Sequence, residues 1–257
     1  MLRTVKGLVI REIAYGENDK IVDILTENGV ITFWARGVRK IGSKYAALTQ
    51  LFAYAEYCLR QNADRYFLDS AVPISLFYGI RNDLEALALA SYFAELIQRI
   101  ATAQSQPQVL RLFLHCLHYL SEHTRAVPLL KSIFELRLLS DIGMMPDVLC
   151  CRDCCCYLPK KAFMRLRDGY FLCEECMEQP NADDIPISIG TLRAIRHIAL
   201  VDFDRLFHIR MGQNEQSELS LFTERYLITR LEIRCKTLQF YHALTAQGNL
   251  PCDSNNQ

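Results

Sequence analysis

The sequence predicts an α+β protein in which a small N-terminal β-barrel precedes an α-helical domain that is interrupted by a cysteine-rich insertion. Three observations carry that expectation. Residues 1–77 contain five short runs of strand character separated by tight turns. From Ile80 onward, long apolar stripes recur at helical spacing. Seven of the eleven cysteines fall within residues 150–176.

The strands can be justified in order. "TVKGLVIREI" is rich in β-branched residues and alternates. "KIVDILTENG" ends in Asn28-Gly29, a hairpin signal, and "VITFWARG" follows at once as its partner. "LFAYAEYCLR" sets Phe52, Tyr54, Glu56 and Cys58 on one face against Ala53, Ala55, Tyr57 and Leu59 on the other. "RYFLDSAVPI" supplies the fifth strand. Five short strands in so few residues fit a closed OB-fold β-barrel.

The helices come next. In residues 80–103, Leu84, Leu87, Ala88, Ser91 and Ala94 form a stripe that Phe93, Leu96, Ile97 and Ile100 widen. "SQPQVLRLFLHCLHYLSEH" carries Pro107 near its start, where a missing N–H does no harm. "AVPLLKSIFELRLLSDIGMMP" is closed by Gly143 and Pro146. A fourth helix is expected from Ile189 to Phe207. One long helix is expected from Asn214 into "FYHAL". Broad apolar circumferences imply that these helices bury against one another.

Within the insertion, Cys151 and Cys154 are separated by two residues, as are Cys173 and Cys176, with eighteen residues between the pairs. That spacing fits a two-knuckle structural zinc site, because each Cys-x-x-Cys turn presents two thiolates to one tetrahedral ion. Arg152, Lys160 and Lys161 would offset the charge of four thiolates. Cys150, Cys155 and Cys156 could substitute for their neighbours and are otherwise spare thiols. A thioredoxin-type redox site is the rival, but it needs a βαβ pattern that is not visible. Four thiolates leave zinc no open position, so the site reads as a staple. An insertion of about 30 residues cannot bury a core of its own, which explains the need for a metal.

Composition bounds the function. The 257 residues suffice for one large domain or two to three small ones, and 51% hydrophobic with 23% charged residues is globular usage. A net charge of zero argues against a protein dominated by nucleic-acid binding unless a local basic patch exists. No apolar run approaches a membrane span, and "MLRTVKGLVIREIAYGENDK" is too charged for a signal peptide. A cytoplasmic protein with reduced thiols is expected, and eleven cysteines cannot all pair within one monomer. No phosphate loop, nucleophile elbow or His-Glu zinc motif appears. His115 and His118 read as structural, His123, His197, His208 and His242 are scattered, and Glu174-Glu175 reads as solvent-facing. Nothing supports catalysis.

One stretch differs from the rest. No acid occurs from Asn28 to Ala55, whereas Arg36, Arg39, Lys40 and Lys44 all do, beside Phe33, Trp34 and Tyr45. Gly37 and Gly42 loosen the backbone there. A basic loop next to aromatics on a small barrel is the combination that holds single-stranded nucleic acid. The alternative is a solvated hairpin with Trp34 in the core.

Residues 5–44, "VKGLVIREIAYGENDKIVDILTENGVITFWARGVRKIGSK", resemble the N-terminal barrel of the RecO family of bacterial recombination mediators. "FELRLLSDIGMMPDVLCCRDC", "LCEEC" and "RLEIRCKTLQF" extend the resemblance to about Tyr241. The resemblance implies an OB-fold joined to a helical domain with one structural Zn²⁺. It implies binding of single- and double-stranded DNA, annealing of complementary strands and, with RecR, loading of RecA onto DNA coated by single-stranded DNA-binding protein. The tail of that coating protein would dock on the helical domain. Arg36, Arg39, Lys40 and Lys44 match the family's basic loop, with Trp34 beside them as a stacking candidate. Cys151, Cys154, Cys173 and Cys176 match its zinc ligands, and Cys155 stands where a glycine usually follows the second. Lys131 and Arg137 lie on the helix resembling the docking surface, and Lys236-Thr237 resembles a terminal Lys-Ser. Lys131, Arg137, Arg234 and Lys236 are candidate further basic contacts. The expected domains are 1–78 for the barrel, 79–149 with 179–247 for the helices, 150–178 for the zinc insertion, and 248–257 for a flexible tail. The function expected is non-enzymatic, at the bacterial nucleoid. A zinc-stapled protein–protein scaffold without direct DNA binding is the alternative.

Overall fold

The computed structural model describes residues 2–100 and 107–248. Residues 249–257, nearly all of the expected tail, lie outside the described residues, as do 101–106 between the first two long helices. The chain forms two compact units, residues 1–124 with 235–257, and residues 125–234.

In the first unit, strands β1 (Leu2–Tyr15), β2 (Asp19–Thr26), β3 (Gly29–Ala35), β4 (Tyr54–Asn62) and β5 (Arg65–Ser75) close a barrel in the order β1-β2-β3-β5-β4. The β3–β5 contact is the one parallel pairing of the barrel; the others are antiparallel. This is the OB-fold. Alternation sets its inside: Ala53, Ala55, Tyr57 and Leu59 are buried with Val9, Val22, Ile24 and Phe33. Tyr57 can sit there because its hydroxyl donates to the Leu48 carbonyl at 2.7 Å. Gly7 is required on β1, since a Cβ would lie 2.7 Å from Ile24 Cδ1.

The β2–β3 hairpin forms as expected, but Asn28-Gly29 are not its two central residues. Thr26 pairs with Gly29, and of Glu27, Asn28 and Gly29 only the glycine has positive φ, at 102°. Thr26 Oγ1 closes the turn by donating to the Gly29 carbonyl and accepting from the Asn28 N–H. The first unit also holds α1 (Tyr78–Arg81), α2 (Leu84–Ile100), α3 (Pro107–Ser121) and α7 (Lys236–Gly248).

The second unit contains α4 (Val127–Asp141), α5 (Ile189–Leu200) and α6 (Gln213–Leu231), with a three-stranded sheet ordered β7-β6-β8. Its strands are β6 (Lys161–Arg165), β7 (Tyr170–Cys173) and β8 (Asp184–Ser188). The cysteine-rich segment thus shares its sheet with residues beyond 178. The compact units also divide the chain elsewhere than the sequence suggests, grouping α2, α3 and α7 with the barrel.

Two helix boundaries differ from expectation. The helix beginning at Ile189 stops at Leu200, where Val201 turns extended and the Arg137 guanidinium donates to the Ile198 and Val201 carbonyls. The expected long C-terminal helix is two. Glu232 breaks it with φ 52°, and α7 starts afresh at Lys236. Glu95 makes that new start possible: its carboxylate accepts the backbone N–H groups of Lys236 and Thr237 and the Thr237 hydroxyl. Burial alone would raise the Glu95 pKa, but Thr237 and Arg99 outweigh it and hold it down at about 2.

Candidate nucleic-acid interface and metal centre

The outer face of the barrel carries a row of apolar side chains running across four strands. Ile13 pairs with Ile21, Ile21 with Trp34, and Trp34 with Phe67. Residues in register on neighbouring strands share a face, so the four lie side by side. Ile13 is exposed, and Ile21, Trp34 and Phe67 are half-buried. The Trp34 and Phe67 rings are 6.1 Å apart. Trp34 is therefore outside the barrel core.

Two guanidinium groups lie over this row. Arg65 stands 5.1 Å from the Trp34 ring centre, and Arg36 stands 4.7 Å from that of Phe67. Sequence reasoning named Trp34 and Arg36 but missed Arg65 and Phe67. They reach the face only through the parallel β3–β5 pairing, which local pattern does not announce.

The loop after β3 is moored to the turn between β1 and β2. The Arg39 N–H donates to the Asn18 carbonyl at 2.9 Å, Arg39 Nη1 to the Gly16 carbonyl at 3.0 Å, and the Gly37 N–H to Asp19 Oδ1 at 2.8 Å. Gly37 and Gly42 take φ of 66° and 78°, a region that suits glycine. Arg36, Arg39, Lys40 and Lys44 are all exposed, and Ile41 between them is fully so. Among the described residues none of these four cations is paired with a carboxylate, and the Lys44 ammonium sits 4.7 Å from the Tyr45 ring. The acids of β1 and β2 are otherwise engaged. Asp23 binds Arg11 at 2.8 Å and accepts the Thr32 hydroxyl, and Glu12 pairs with Lys20. Four exposed cations without a salt-bridge partner thus stand beside an aromatic surface, with the Asp19 carboxylate taken up by the Gly37 N–H at the base of the loop.

The further basic candidates fare differently. Lys131 is buried at 1% exposure, its ammonium 3.0 Å from Glu135 and 2.7 Å from Glu224. Burial would lower its pKa, but the two carboxylates raise it and prevail. Glu135 also accepts the Thr223 hydroxyl at 2.7 Å. Lys131 is thus an internal tie between α4 and α6, not a surface contact, and that expectation is corrected. Arg137 is half-buried and bound to Asp141 and the end of α5. Arg234 and Lys236 are exposed.

In the second unit, the sulfurs of Cys151, Cys154, Cys173 and Cys176 all lie within 4.8 Å of one another. The structure therefore gathers the four cysteines of the expected register and leaves Cys150, Cys155 and Cys156 outside the cluster. One pair lies in the loop ahead of β6; the other begins at the end of β7. The Cys173 N–H points at Cys151 Sγ at 3.3 Å, a donor that favours thiolate. Burial raises the Cys151 pKa, but N–H groups of Cys154, Cys173 and Asp153 bring it to about 7. Four convergent sulfurs with N–H donors suit a tetrahedral soft-ligand ion such as Zn²⁺. Cys155 has φ 59°, so the position following the second ligand takes the left-handed conformation that a glycine would take without strain. Glu174 is half-buried rather than solvent-facing, and accepts the Lys160 and Lys161 N–H groups at 3.1 and 3.0 Å, tying the second knuckle to the start of β6.

Residues 1–77 match the family described as Recombination protein O N terminal, and residues 81–239 match Recombination protein O C terminal. The DNA repair protein RecO of Acetivibrio thermocellus is 33% identical over 241 residues, spanning 93% of this chain and 95% of the relative. The protein of the same name from Bacillus subtilis is 29% identical, spanning 97% and 98%, and that from Halalkalibacterium halodurans is 28% identical, spanning 96% and 97%. Among the described residues no helix is long and apolar enough to cross a membrane. An OB-fold barrel, a four-cysteine cluster and agreement along nearly the whole chain lead to one conclusion: this chain belongs to the RecO family of DNA repair proteins.

Proposed function

We propose that the protein is a non-enzymatic recombination mediator that binds single- and double-stranded DNA and anneals complementary strands. With RecR, and through the tail of single-stranded DNA-binding protein, it would help load RecA onto coated DNA in the bacterial cytoplasm. RecA is then an indirect partner. The observation that carries the DNA-binding part is the outer row of the barrel, where Trp34 and Phe67 lie beneath two guanidinium groups next to a loop with four cations and no acid.

Arg36, Arg39, Lys40 and Lys44 would neutralise phosphates while bases stack on Trp34 and Phe67. Annealing needs only that two polyanions be brought together with their repulsion suppressed, which asks for basic surface and no catalytic group. Arg234 and Lys236 are the remaining candidates for added contacts. One Zn²⁺ on Cys151, Cys154, Cys173 and Cys176 would stabilise the second unit without entering the DNA chemistry.

The test is annealing of complementary strands precoated with the cognate single-stranded DNA-binding protein, run with Trp34→Ala and with chelator. Loss of one stacking platform is expected to cost about 1–3 kcal/mol in single-strand affinity. Annealing should fall with it. Chelator should act through unfolding of residues 125–234, visible by circular dichroism. Unchanged single-strand affinity in Trp34→Ala would remove the barrel face from the mechanism.

A further inference from the structure

The tip of the basic loop carries an apolar side chain that neither the barrel core nor the aromatic row uses. Ile41 has a relative exposure of 107%, whereas among the described residues the next most exposed large apolar side chain, Tyr78, reaches 64%. A lone apolar residue on a surface means little by itself. The setting of this one is what matters. The Lys40 N–H donates to the Gly37 carbonyl at 3.2 Å, the Ser43 N–H to the Lys40 carbonyl at 3.1 Å and the Ala46 N–H to the Ser43 carbonyl at 3.2 Å, so the loop is a series of consecutive turns. In the middle turn, residues 40–43, Gly42 takes φ 78° at the third position, as a type II turn requires, and Ile41 stands at the second, its outer corner. The base of the loop is moored by the bonds from Arg39 and Gly37 to Asn18, Gly16 and Asp19. Arg39 and Lys40 precede the tip and Lys44 follows it, all three exposed.

We propose that Ile41 is a wedge that enters double-stranded DNA between two neighbouring base pairs, while Arg39, Lys40 and Lys44 hold the phosphates on either side of the opened step. The inference rests on the reading of this loop as a DNA contact. Charge complementarity selects the partner: cations flank the tip, and the sequence has no acid from Asn28 to Ala55. Shape selects the duplex over the single strand. A branched aliphatic side chain offers no flat face to a lone base, which Trp34 and Phe67 supply instead, but it fits the gap between base pairs that part and bend away from it. β-Branching restricts the Ile41 χ1 and the turn fixes its backbone, so little freedom is lost on insertion. The apolar area that Ile41 exposes to water is buried in the step, which offsets part of the cost of unstacking it.

The test uses the full-length protein and short DNA duplexes with 2-aminopurine at successive positions, a base whose fluorescence rises when it is unstacked. Saturating wild-type protein is expected to raise that fluorescence. Ile41→Ala should abolish the rise and weaken duplex affinity about tenfold, yet keep the wild-type salt dependence, because no phosphate contact is lost. Its single-strand affinity should be unchanged, and Ile41→Leu should retain the rise. Lys40→Ala should do the reverse: the slope of log duplex affinity against log salt becomes shallower by about 0.9, with the rise intact at saturation. An undiminished rise in Ile41→Ala, or no rise with wild-type protein bound to duplex, would overturn the wedge and leave the loop as a DNA contact. Wild-type protein that binds no duplex at low salt would overturn both readings. Retention of wild-type protein but not of Ile41→Ala on anionic phospholipid vesicles, with no fluorescence rise on DNA, would assign the tip to a lipid surface and also refute the wedge.

Discussion

Cations of the barrel loop and cations of the helical unit look alike in the sequence and do opposite things in the structure. Arg36, Arg39, Lys40 and Lys44 stand exposed, without carboxylate partners among the described residues. Lys131 is enclosed by Glu135 and Glu224, and Arg137 by Asp141 and two helix-end carbonyls. The contrast teaches that a net charge of zero says little about DNA binding. What matters is which positive charges the fold leaves unneutralised. A neutral molecule can present a basic face if its acids are gathered elsewhere, and here 28 consecutive residues, Asn28 to Ala55, contain none.

The largest effect should come from breaking the internal set. Lys131→Ala leaves Glu135 and Glu224 facing each other without a counter-charge and is expected to cost about 3–5 kcal/mol of stability. Urea unfolding followed through residues 125–234 measures this. A loss below 1 kcal/mol would mean that the buried lysine is dispensable.

A charge used for folding also has a pH signature. The Glu95 carboxyl, at about 2, lies below its ordinary value of 4.5, so its stabilisation of the α7 start is complete above about pH 4.5 and fades as pH falls toward 2. Glu95→Gln should cost about 1–2 kcal/mol at neutral pH and flatten the acid limb of the stability profile. An unaltered acid limb in the variant would count against the cap.

Smaller still is the knuckle turn. Cys155→Gly relieves a left-handed conformation but adds backbone freedom to the unfolded chain, so a gain of at most about 1 kcal/mol is expected in thermal unfolding. A clear loss would show that the Cys155 side chain contributes more than its backbone costs. Smallest of all, Lys40→Ala, at an exposed side chain, should leave stability within about 0.5 kcal/mol, whereas Arg39→Ala also removes the bond to the Gly16 carbonyl and should cost about 0.5–1.5 kcal/mol.

Much of this was legible beforehand. Alternation over residues 53–59 announced the inner face of β4, and paired Cys-x-x-Cys turns announced the cluster, since both signals are local. What escaped was non-local. Arg65 and Phe67 join Trp34 only through a strand pairing whose register no turn dictates. The break at Glu232 carries no glycine or proline, because a carboxylate 141 residues away supplies the new helix start. Lys131 looked like a surface lysine until its two acids, one of them on another helix, came into contact with it. Periodicity shows which residues face inward on one element; it does not show which charges meet across two.

The central claim concerns the exposed set, and the salt dependence of single-stranded DNA affinity tests it most directly. Four phosphates neutralised on a single strand give a slope of log affinity against log salt of about −3. Replacing Arg36, Arg39, Lys40 and Lys44 together by alanine should bring that slope close to zero, with the fold intact by circular dichroism. A wild-type slope retained in the quadruple variant would show that the polyanion binds some other surface.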